Sequence, residues 1–389
     1  MAQTVRRILC AVLAAALLPC FYVFAEPSTQ VDTDVSTQLV KAKSGILMEA
    51  STGEVLYEWN PDEKLQIASV TKTMTMLLIM EALDSGKIHL EDMVTTSENA
   101  ASMGGSQVFL EVGEQMSVND MLKAIAVASG NDAAVAMAEH IGGTHEAFVE
   151  KMNERAQELG CTNTHFINCN GLDETSDHYS SARDVARISQ ELLRHEKIFD
   201  YTTIWMDSLR NGQFGLSNTN KLVRFYKGAN GLKTGSTSTA KYCLSATAER
   251  DGMQLIAVVL CAPSTAERFS SATALLDYGF ANYAVVDSGK LGLQLPEVQV
   301  LGGTAKGVQP EVHNVSFIVK KGNQDRVEKE VQMEPSVKAP VEAGQKLGEA
   351  VFRIDGEEVA RKEILARDAV PRINMFQMFW GLMQNWMAL

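Results

Sequence analysis

Three short motifs carry residue types that could catalyse acyl transfer: Ser69-Val70-Thr71-Lys72, Ser129-Gly130-Asn131 and Lys233-Thr234-Gly235. A serine and a lysine three residues apart on a helix lie on the same face, so their polar ends can meet. A neutral amine can accept the proton of a serine hydroxyl and so turn it into a nucleophile. Partial burial and a second cation, for which Lys233 is the candidate, would lower the pKa of Lys72. The pattern therefore predicts a serine enzyme in which Ser69 is the nucleophile and Lys72 its base.

The other two motifs supply groups that suit a peptide substrate. Ser129 can relay a proton to the leaving amine, and the side-chain amide of Asn131 can hold both Lys72 and the substrate, because an amide donates and accepts. Lys233 falls on a predicted strand, where its positive charge suits a substrate carboxylate. Gly235 on the same strand would let an extended peptide pair with the strand edge.

Each motif alone is weak, because the chain contains further matches to the same patterns: Ser238-Thr239-Ala240-Lys241, Ser97-Glu98-Asn99 and Ser117-Val118-Asn119. Ser69 is distinguished by its place at the start of an apolar pattern with helical spacing that continues to Leu83. A helix N-terminus carries a partial positive charge and offers backbone N–H groups to an oxyanion. No such helix is predicted around Ser238.

The elements that must position these residues alternate between strand and helix periodicity. A hairpin is predicted over residues 43–57. Helices are predicted over residues 69–83, 118–129, 132–141, 145–159, 181–195 and 266–278. Strands are predicted over residues 231–236, 242–249 and 254–262, the last two joined by the turn around Asp251-Gly252. This order predicts an α+β domain in which helices cover an antiparallel sheet.

The chain outside this domain divides into further segments. Residues 1–25 have the basic start, apolar run and small-residue end of a signal peptide, which predicts export, and residues 26–37 are a polar linker. The catalytic domain is expected over 38–285. Short alternating runs over 293–366 predict a small all-β domain. Residues 370–389 predict an amphipathic helix that either anchors the protein at the membrane interface or docks on its own core.

Composition limits the possible functions. A formal net charge of −13 argues against nucleic acid as a partner, because phosphate binding needs a positive surface. The sequence has no HExxH zinc motif and no GxSxG elbow, and we expect no cofactor and no metal. Four cysteines follow the predicted signal peptide, and both disulfides and buried free thiols are compatible with their spacing: Cys161, Cys169, Cys243 and Cys261.

The three motifs in this order are the signature of penicillin-interacting serine enzymes. The surrounding segments resemble the low-molecular-mass penicillin-binding D-alanyl-D-alanine carboxypeptidases, and the resemblance covers nearly the whole chain: residues 61–72, 128–133, 163–172, 231–237 and 275–280. It implies a penicillin-binding or β-lactamase-like fold. It also implies removal of the terminal D-alanine from peptidoglycan pentapeptide stems through an acyl-enzyme on Ser69. β-Lactam antibiotics would trap the same serine, and the enzyme would work at the outer face of the cytoplasmic membrane.

The resemblance also implies roles for single residues. Lys72 would be the base, Ser129 the proton relay, and Lys233 with Thr234 the binding site of the terminal carboxylate. Backbone N–H groups of Ser69 and Ser236 would form the oxyanion hole, and the match of Arg268 to a family arginine would place it near the carboxylate. The chain departs from the common family pattern at three positions, which leaves rate and substrate detail open: Ser236, Asn230 and Cys169.

Two alternative functions share parts of this pattern. A class A β-lactamase would use the same nucleophile, but the ExxLN sequence that positions its deacylating water is absent between Asn131 and Lys233. A non-catalytic wall-binding scaffold would keep the fold without turnover, and the intact motif residues count against it.

Overall fold

The computed structural model describes residues 38–172, 175–314, 316–376 and 378–380. The predicted signal peptide and linker and residues 381–389 of the predicted C-terminal helix lie outside this part of the chain.

Eighteen strands are described. They are β1 Ser44–Glu49, β2 Val55–Trp59, β3 Met93–Thr95, β4 Gln115–Ser117, β5 Met206–Leu209, β6 Phe214–Ser217, β7 Ala229–Thr237, β8 Lys241–Arg250, β9 Met253–Ala262, β10 Tyr283–Asp287, β11 Val298–Leu301, β12 Gly307–Val308, β13 Pro310–Glu311, β14 Ser316–Lys320, β15 Glu328–Met333, β16 Ser336–Lys338, β17 Lys346–Ile354 and β18 Glu357–Ala366.

The α-helices of the described residues fall almost entirely between β2 and β10. They are α1 Lys72–Asp84, α2 Glu98–Ala101, α3 Val118–Ala126, α4 Asn131–Gly142, α5 His145–Glu158, α6 Ala182–Leu193, α7 Phe199–Thr202, α8 Leu222–Phe225 and α9 Thr265–Asn282.

The central sheet is antiparallel throughout, with the strand order β2-β1-β9-β8-β7. Its middle strands are apolar on both faces, because helices cover the sheet on both sides. Along β9, Ile256 and Val258 belong to the core that contains α1, whereas Leu255 and Ala257 belong to the core that contains α9. The predicted α+β architecture is confirmed, and β7 forms one edge of the sheet.

Helix α1 is the central helix of the catalytic domain. It is apolar nearly all round and packs against α4, α6 and the sheet, which is the pattern of a buried helix. Four helices of the domain, α3, α5, α6 and α9, begin at serine or threonine caps that accept a hydrogen bond from the backbone N–H three residues later: Ser117, Thr144, Ser181 and Ser264.

The predicted helices differ from the observed ones mainly at their ends. The helix predicted from Ser69 begins as a 3-10 turn, Ala68–Thr71, and α1 starts only at Lys72. The helix predicted over 118–129 ends at Ala126, and α9 continues to Asn282. The short antiparallel pairs β3–β4 and β5–β6 were not predicted, since their strands are too short to show a period.

Strands β10 to β18 form the all-β part of the chain. Strand β10 follows α9 directly and pairs with β14, while β13, β18, β17 and β15 form a four-stranded sheet. Residues 370 and 372 form β-bridges, so the helical segment begins after them. Large apolar side chains are exposed in the described part of this segment: Met375, Phe376, Met378, Phe379 and Trp380. Within the described ranges, no helix is long and apolar enough to cross a bilayer.

Candidate active site

Ser69 lies in the 3-10 turn Ala68–Thr71, directly before α1. Ala68 has a φ of 47°, a backbone angle that residues other than glycine rarely adopt. The Val70 N–H donates to the Ile67 carbonyl at 3.2 Å, and Thr71 Oγ1 donates to the Ala68 carbonyl at 2.8 Å. Backbone strain of this kind persists only where the surrounding structure enforces it, and it is common at functional sites.

Gly171 and His178 contact this turn and support it. A Cβ atom on Gly171 would lie 1.9 Å from the Ala68 carbonyl oxygen, so only glycine fits there. The buried His178 accepts the Ile167 N–H on Nδ1 at 3.2 Å, and its Nε2 lies 2.7 Å from Thr71 Oγ1. Since Nδ1 of a neutral imidazole that accepts leaves Nε2 as the donor, a hydrogen-bond chain runs from the Ile167 N–H through His178 and Thr71 to Ala68.

Lys72 is fully buried at the first residue of α1. Its Nζ donates to Ser69 Oγ at 2.9 Å, to Asn131 Oδ1 at 2.5 Å and to the Asn170 carbonyl at 2.9 Å. Burial lowers the pKa of Lys72 to about 7, because the charged form loses its hydration. A substantial fraction of the side chain is therefore neutral near neutral pH and can accept the Ser69 proton.

Ser129 and Asn131 lie where α3 ends and α4 begins. Ser129 is buried with a φ of 64°, a second strained position in the site. Asn131 accepts from Lys72 on Oδ1, and its Nδ2 donates to the Gly104 carbonyl at 2.7 Å. The amide oxygen of Asn131 thus contacts Lys72, as expected. The amide nitrogen, which was expected to hold the substrate, donates to the protein's own backbone instead.

Lys233 and Thr234 lie on the edge strand β7. The Lys233 side chain is 1% exposed, and its Nζ donates to the Thr234 carbonyl at 2.9 Å. Burial holds the pKa of Lys233 well below its ordinary value, and the positive charges of Lys72 and Arg268 act in the same direction. Two ammonium groups thus share a buried site, so protonation of one disfavours protonation of the other.

Gly235 allows β7 to pack against the Ser69 turn. A Cβ atom here would lie 2.7 Å from the Ile67 carbonyl oxygen and 2.9 Å from the Ser69 nitrogen. The sequence suggested that this glycine admits a substrate peptide; the structure adds that it admits the turn itself. Ser236 follows on the same strand and is exposed.

Arg268 reaches β7 from α9, on the other side of the strand. Its Nη1 donates to the Gly235 carbonyl at 3.2 Å and to the Cys243 carbonyl at 3.4 Å, and its guanidinium lies 4.6 Å from the ring centroid of Phe269. Its Nε is buried and finds no hydrogen-bond partner within the described ranges. Arg268 therefore supports the backbone of the Lys-Thr-Gly segment.

The structure brings most of the predicted site residues together between the helices and the edge strand. Lys72 contacts Ser69 and Asn131, Gly235 packs on the Ser69 turn, and Lys233 lies near Lys72. Ser129 and Thr234 lie next to residues of this group along the chain, Ser236 is exposed on β7, and Arg268 contacts the Gly235 carbonyl. The residues of the competing match, Ser238 and Lys241, are exposed at the β7–β8 turn and lack the burial that lowers the pKa of Lys72. The four cysteines of the described residues are free thiols.

Sequence reasoning did not single out three residues of this network: Asn170, His178 and Thr219. Asn170 and Thr219 meet Lys72 and Thr234 only through tertiary contacts. The resemblance over residues 163–172 was the available signal for Asn170. No sequence signal was available for His178, because it is an isolated histidine outside any motif.

Comparisons with known proteins identify the family. The family Peptidase_S11, D-alanyl-D-alanine carboxypeptidase, matches residues 31–264, and the family "Penicillin-binding protein 5, C-terminal domain" matches residues 292–372. The D-alanyl-D-alanine carboxypeptidase DacF of Bacillus subtilis is 46% identical over 351 residues, which cover 89% of this chain and 90% of DacF.

Solved structures share the fold. Penicillin-binding protein 5 from Haemophilus influenzae superimposes with a TM-score of 0.78 at 33% identity, covering 87% of this chain and 100% of the other. Penicillin-binding protein D2 from Listeria monocytogenes, in its ampicillin-bound form, has a TM-score of 0.58 at 30% identity and covers 63% of this chain and 99% of the other. The chain therefore belongs to the S11 peptidase family of serine-type D-alanyl-D-alanine carboxypeptidases.

Proposed function

We propose that Ser69 is the nucleophile with which this enzyme removes the terminal D-alanine from peptidoglycan pentapeptide stems. The observation that carries the proposal is the contact of 2.9 Å between Lys72 Nζ and Ser69 Oγ, together with the burial of Lys72. A base with a pKa lowered to about 7 is matched to proton transfer near neutral pH.

In the acylation step, Ser69 Oγ attacks the carbonyl carbon of the penultimate D-alanine while its proton passes to neutral Lys72. The bond from this carbon to the terminal nitrogen then breaks, and Ser129 relays a proton from Lys72 to the departing amine, so that D-alanine leaves. The contact between Lys72 and Asn131 supports this route, since Ser129 precedes Asn131 by only two residues and is buried. Water then hydrolyses the ester, with Lys72 again as the base.

The backbone N–H groups of Ser69 and Ser236 stabilise the oxyanion of the tetrahedral intermediate. Support comes from the packing at Gly235, where the absence of a side chain lets β7 lie against the Ser69 nitrogen. Preorganised donors of this kind are worth several kcal/mol in the transition state, because they need no reorganisation when the charge forms.

Lys233 and Thr234 bind the carboxylate of the terminal D-alanine. A carboxylate beside Lys233 favours its protonated form, which offsets the effect of burial on its pKa. Arg268 adds positive charge from behind β7 and keeps the Gly235 carbonyl in place. β-Lactams carry a carboxylate and a reactive amide in a similar arrangement, and they would acylate the same serine.

The decisive experiment measures D-alanine release from diacetyl-lysyl-D-alanyl-D-alanine by the purified protein. Ser69→Ala is expected to abolish release, and Ser238→Ala, the exposed serine of the competing motif, is expected to leave it unchanged. Release that persists in Ser69→Ala would refute the assignment. Mass spectrometry after penicillin treatment should place the adduct on Ser69 in the unmodified protein and in Ser238→Ala.

We further propose that the protein is exported and held at the outer face of the cytoplasmic membrane by residues 370–389. The exposed apolar side chains at 375, 376 and 378–380 support an interfacial segment. Deletion of residues 370–389 should move the protein from the membrane fraction to the soluble fraction. Continued membrane retention of a correctly processed deletion variant would contradict the anchor.

A further inference from the structure

Residues 218–220 form a fixed segment between β6 and α8, next to the catalytic cleft. Asn218 Nδ2 donates to the carbonyl of Thr202, the last residue of α7, at 3.3 Å and to the carbonyl of Ile204 just beyond it at 2.7 Å. Asn220 Nδ2 donates to the Gly231 carbonyl on β7 at 2.8 Å. Because both asparagine side chains are buried, the backbone on each side of Thr219 is held in place.

Thr219 connects the two walls of the cleft. Its backbone N–H donates to the Val127 carbonyl at 3.2 Å, two residues before Ser129. Its Oγ1 accepts a hydrogen bond from Thr234 Oγ1 at 2.7 Å. A hydroxyl has a single proton, so Thr234 in this arrangement has none left to donate to a ligand. The hydroxyl proton of Thr219 takes no part in this bond.

We propose that Thr219 is a positioning residue for the substrate carboxylate and that it acts through Thr234. When a carboxylate binds, Thr234 turns its proton to the ligand and Thr219 donates to Thr234 in its place. This reversal needs only rotation about two C–O bonds, since the Thr219 oxygen stays where its backbone holds it. The inference rests on the proposed function, in which Lys233 and Thr234 bind the carboxylate.

Thr219→Val tests the inference, because valine keeps the branched shape and removes the hydroxyl. The readout is the rate of acylation of Ser69, followed by mass spectrometry on the full chain, with benzylpenicillin and with its methyl ester. Loss of the hydrogen bond between the two hydroxyls, which holds Thr234 towards the carboxylate, should lower the rate with benzylpenicillin about fivefold and leave the rate with the ester nearly unchanged. Thr219→Ser should restore the ratio between the two rates, and Thr95→Val, an exposed position on β3, should not alter it.

The ratio of acid to ester is internal to each protein, so a partly unfolded preparation lowers both rates and leaves the ratio intact. Equal loss with both compounds would mean that Thr219 is merely structural and would overturn the inference. An unchanged ratio in Thr219→Val, or a ratio in Thr219→Ser as low as in Thr219→Val, would overturn it as well. No adduct on Ser69 in the unmodified protein would overturn the proposed function and this inference together, whereas an unchanged ratio overturns the inference alone.

Discussion

The burial of Lys72 predicts a measurable pH dependence of stability. Lys72 in the folded protein has a pKa lowered to about 7, whereas an unfolded lysine titrates at its ordinary value of 10.5. As the pH falls below 10.5, the unfolded chain binds the proton first, so stability is lost until the folded protein also takes up the proton near pH 7. Stability that depends on Lys72 therefore rises between pH 6 and pH 9.

The size of the effect follows from the two pKa values. Linkage between pH 6 and pH 9 gives a change of about 3 kcal/mol in the free energy of unfolding. Lys72→Met removes this titration and keeps a side chain of similar length. The free energy of unfolding of the unmodified protein, relative to Lys72→Met, should thus become about 3 kcal/mol more favourable at pH 9 than at pH 6.

Urea unfolding of both proteins at the two pH values, followed by tryptophan fluorescence, measures this difference. Contributions of groups that titrate equally in both proteins cancel. Lys233 titrates differently once the charge of Lys72 is gone, so the same comparison is repeated with Lys233→Met in both proteins. Lys241→Met, which removes an exposed lysine, should follow the unmodified protein. A difference between the unmodified protein and Lys72→Met that stays constant within about 1 kcal/mol would refute the assignment of a buried, easily deprotonated Lys72.

Three further predictions address the same site. Acylation by benzylpenicillin, measured by mass spectrometry from pH 5 to pH 8, should fall about tenfold per pH unit below pH 7, because only neutral Lys72 accepts the Ser69 proton; a flat acid limb would contradict this base. Gly235→Ala should slow acylation at least about a hundredfold, because its Cβ would lie 2.7 Å from the Ile67 carbonyl oxygen and push β7 away from the Ser69 turn. Gly215→Ala, where a Cβ meets nothing within 4 Å, is the control, and equal rates in the two variants would refute the steric argument. His178→Leu should remove the donor to Thr71 Oγ1 and leave the Ile167 N–H without its acceptor, which should destabilise the protein by about 2 kcal/mol in thermal or urea unfolding and slow acylation. The exposed His165→Leu should change neither quantity, and a His178→Leu protein as stable and as active as the unmodified one would contradict the supporting chain.

Local signals in the sequence were sufficient for the main elements of the catalytic domain. Apolar residues at helical spacing located α3, α5, α6 and α9, and the Asp251-Gly252 turn located the β8–β9 hairpin. The catalytic pair could also be predicted from the sequence, since Ser69 and Lys72 are neighbours along the chain.

The contacts that complete the site could not be predicted from the sequence, because they join distant parts of the chain. The Asn170 carbonyl binds Lys72 across 98 residues, and His178 binds Thr71 across 107. A backbone carbonyl that accepts a hydrogen bond does not depend on the type of its residue, so the sequence does not indicate it. A single buried histidine has the same neighbouring residue pattern as an exposed one. Such contacts follow only from the folded arrangement of the sheet and helices.

The start of α1 shows why the exact boundary of a helix matters for function. Helical periodicity places Ser69 at the N-terminus, but the 3-10 turn shifts the first residue of the α-helix to Lys72. The partial positive charge of a helix N-terminus acts within its first turn, and at Lys72 it opposes an ammonium group in the same direction as burial does. The turn therefore does two things at once: it presents Ser69 to the cleft, and it places Lys72 where both the low dielectric and the helix favour the neutral amine that the serine needs.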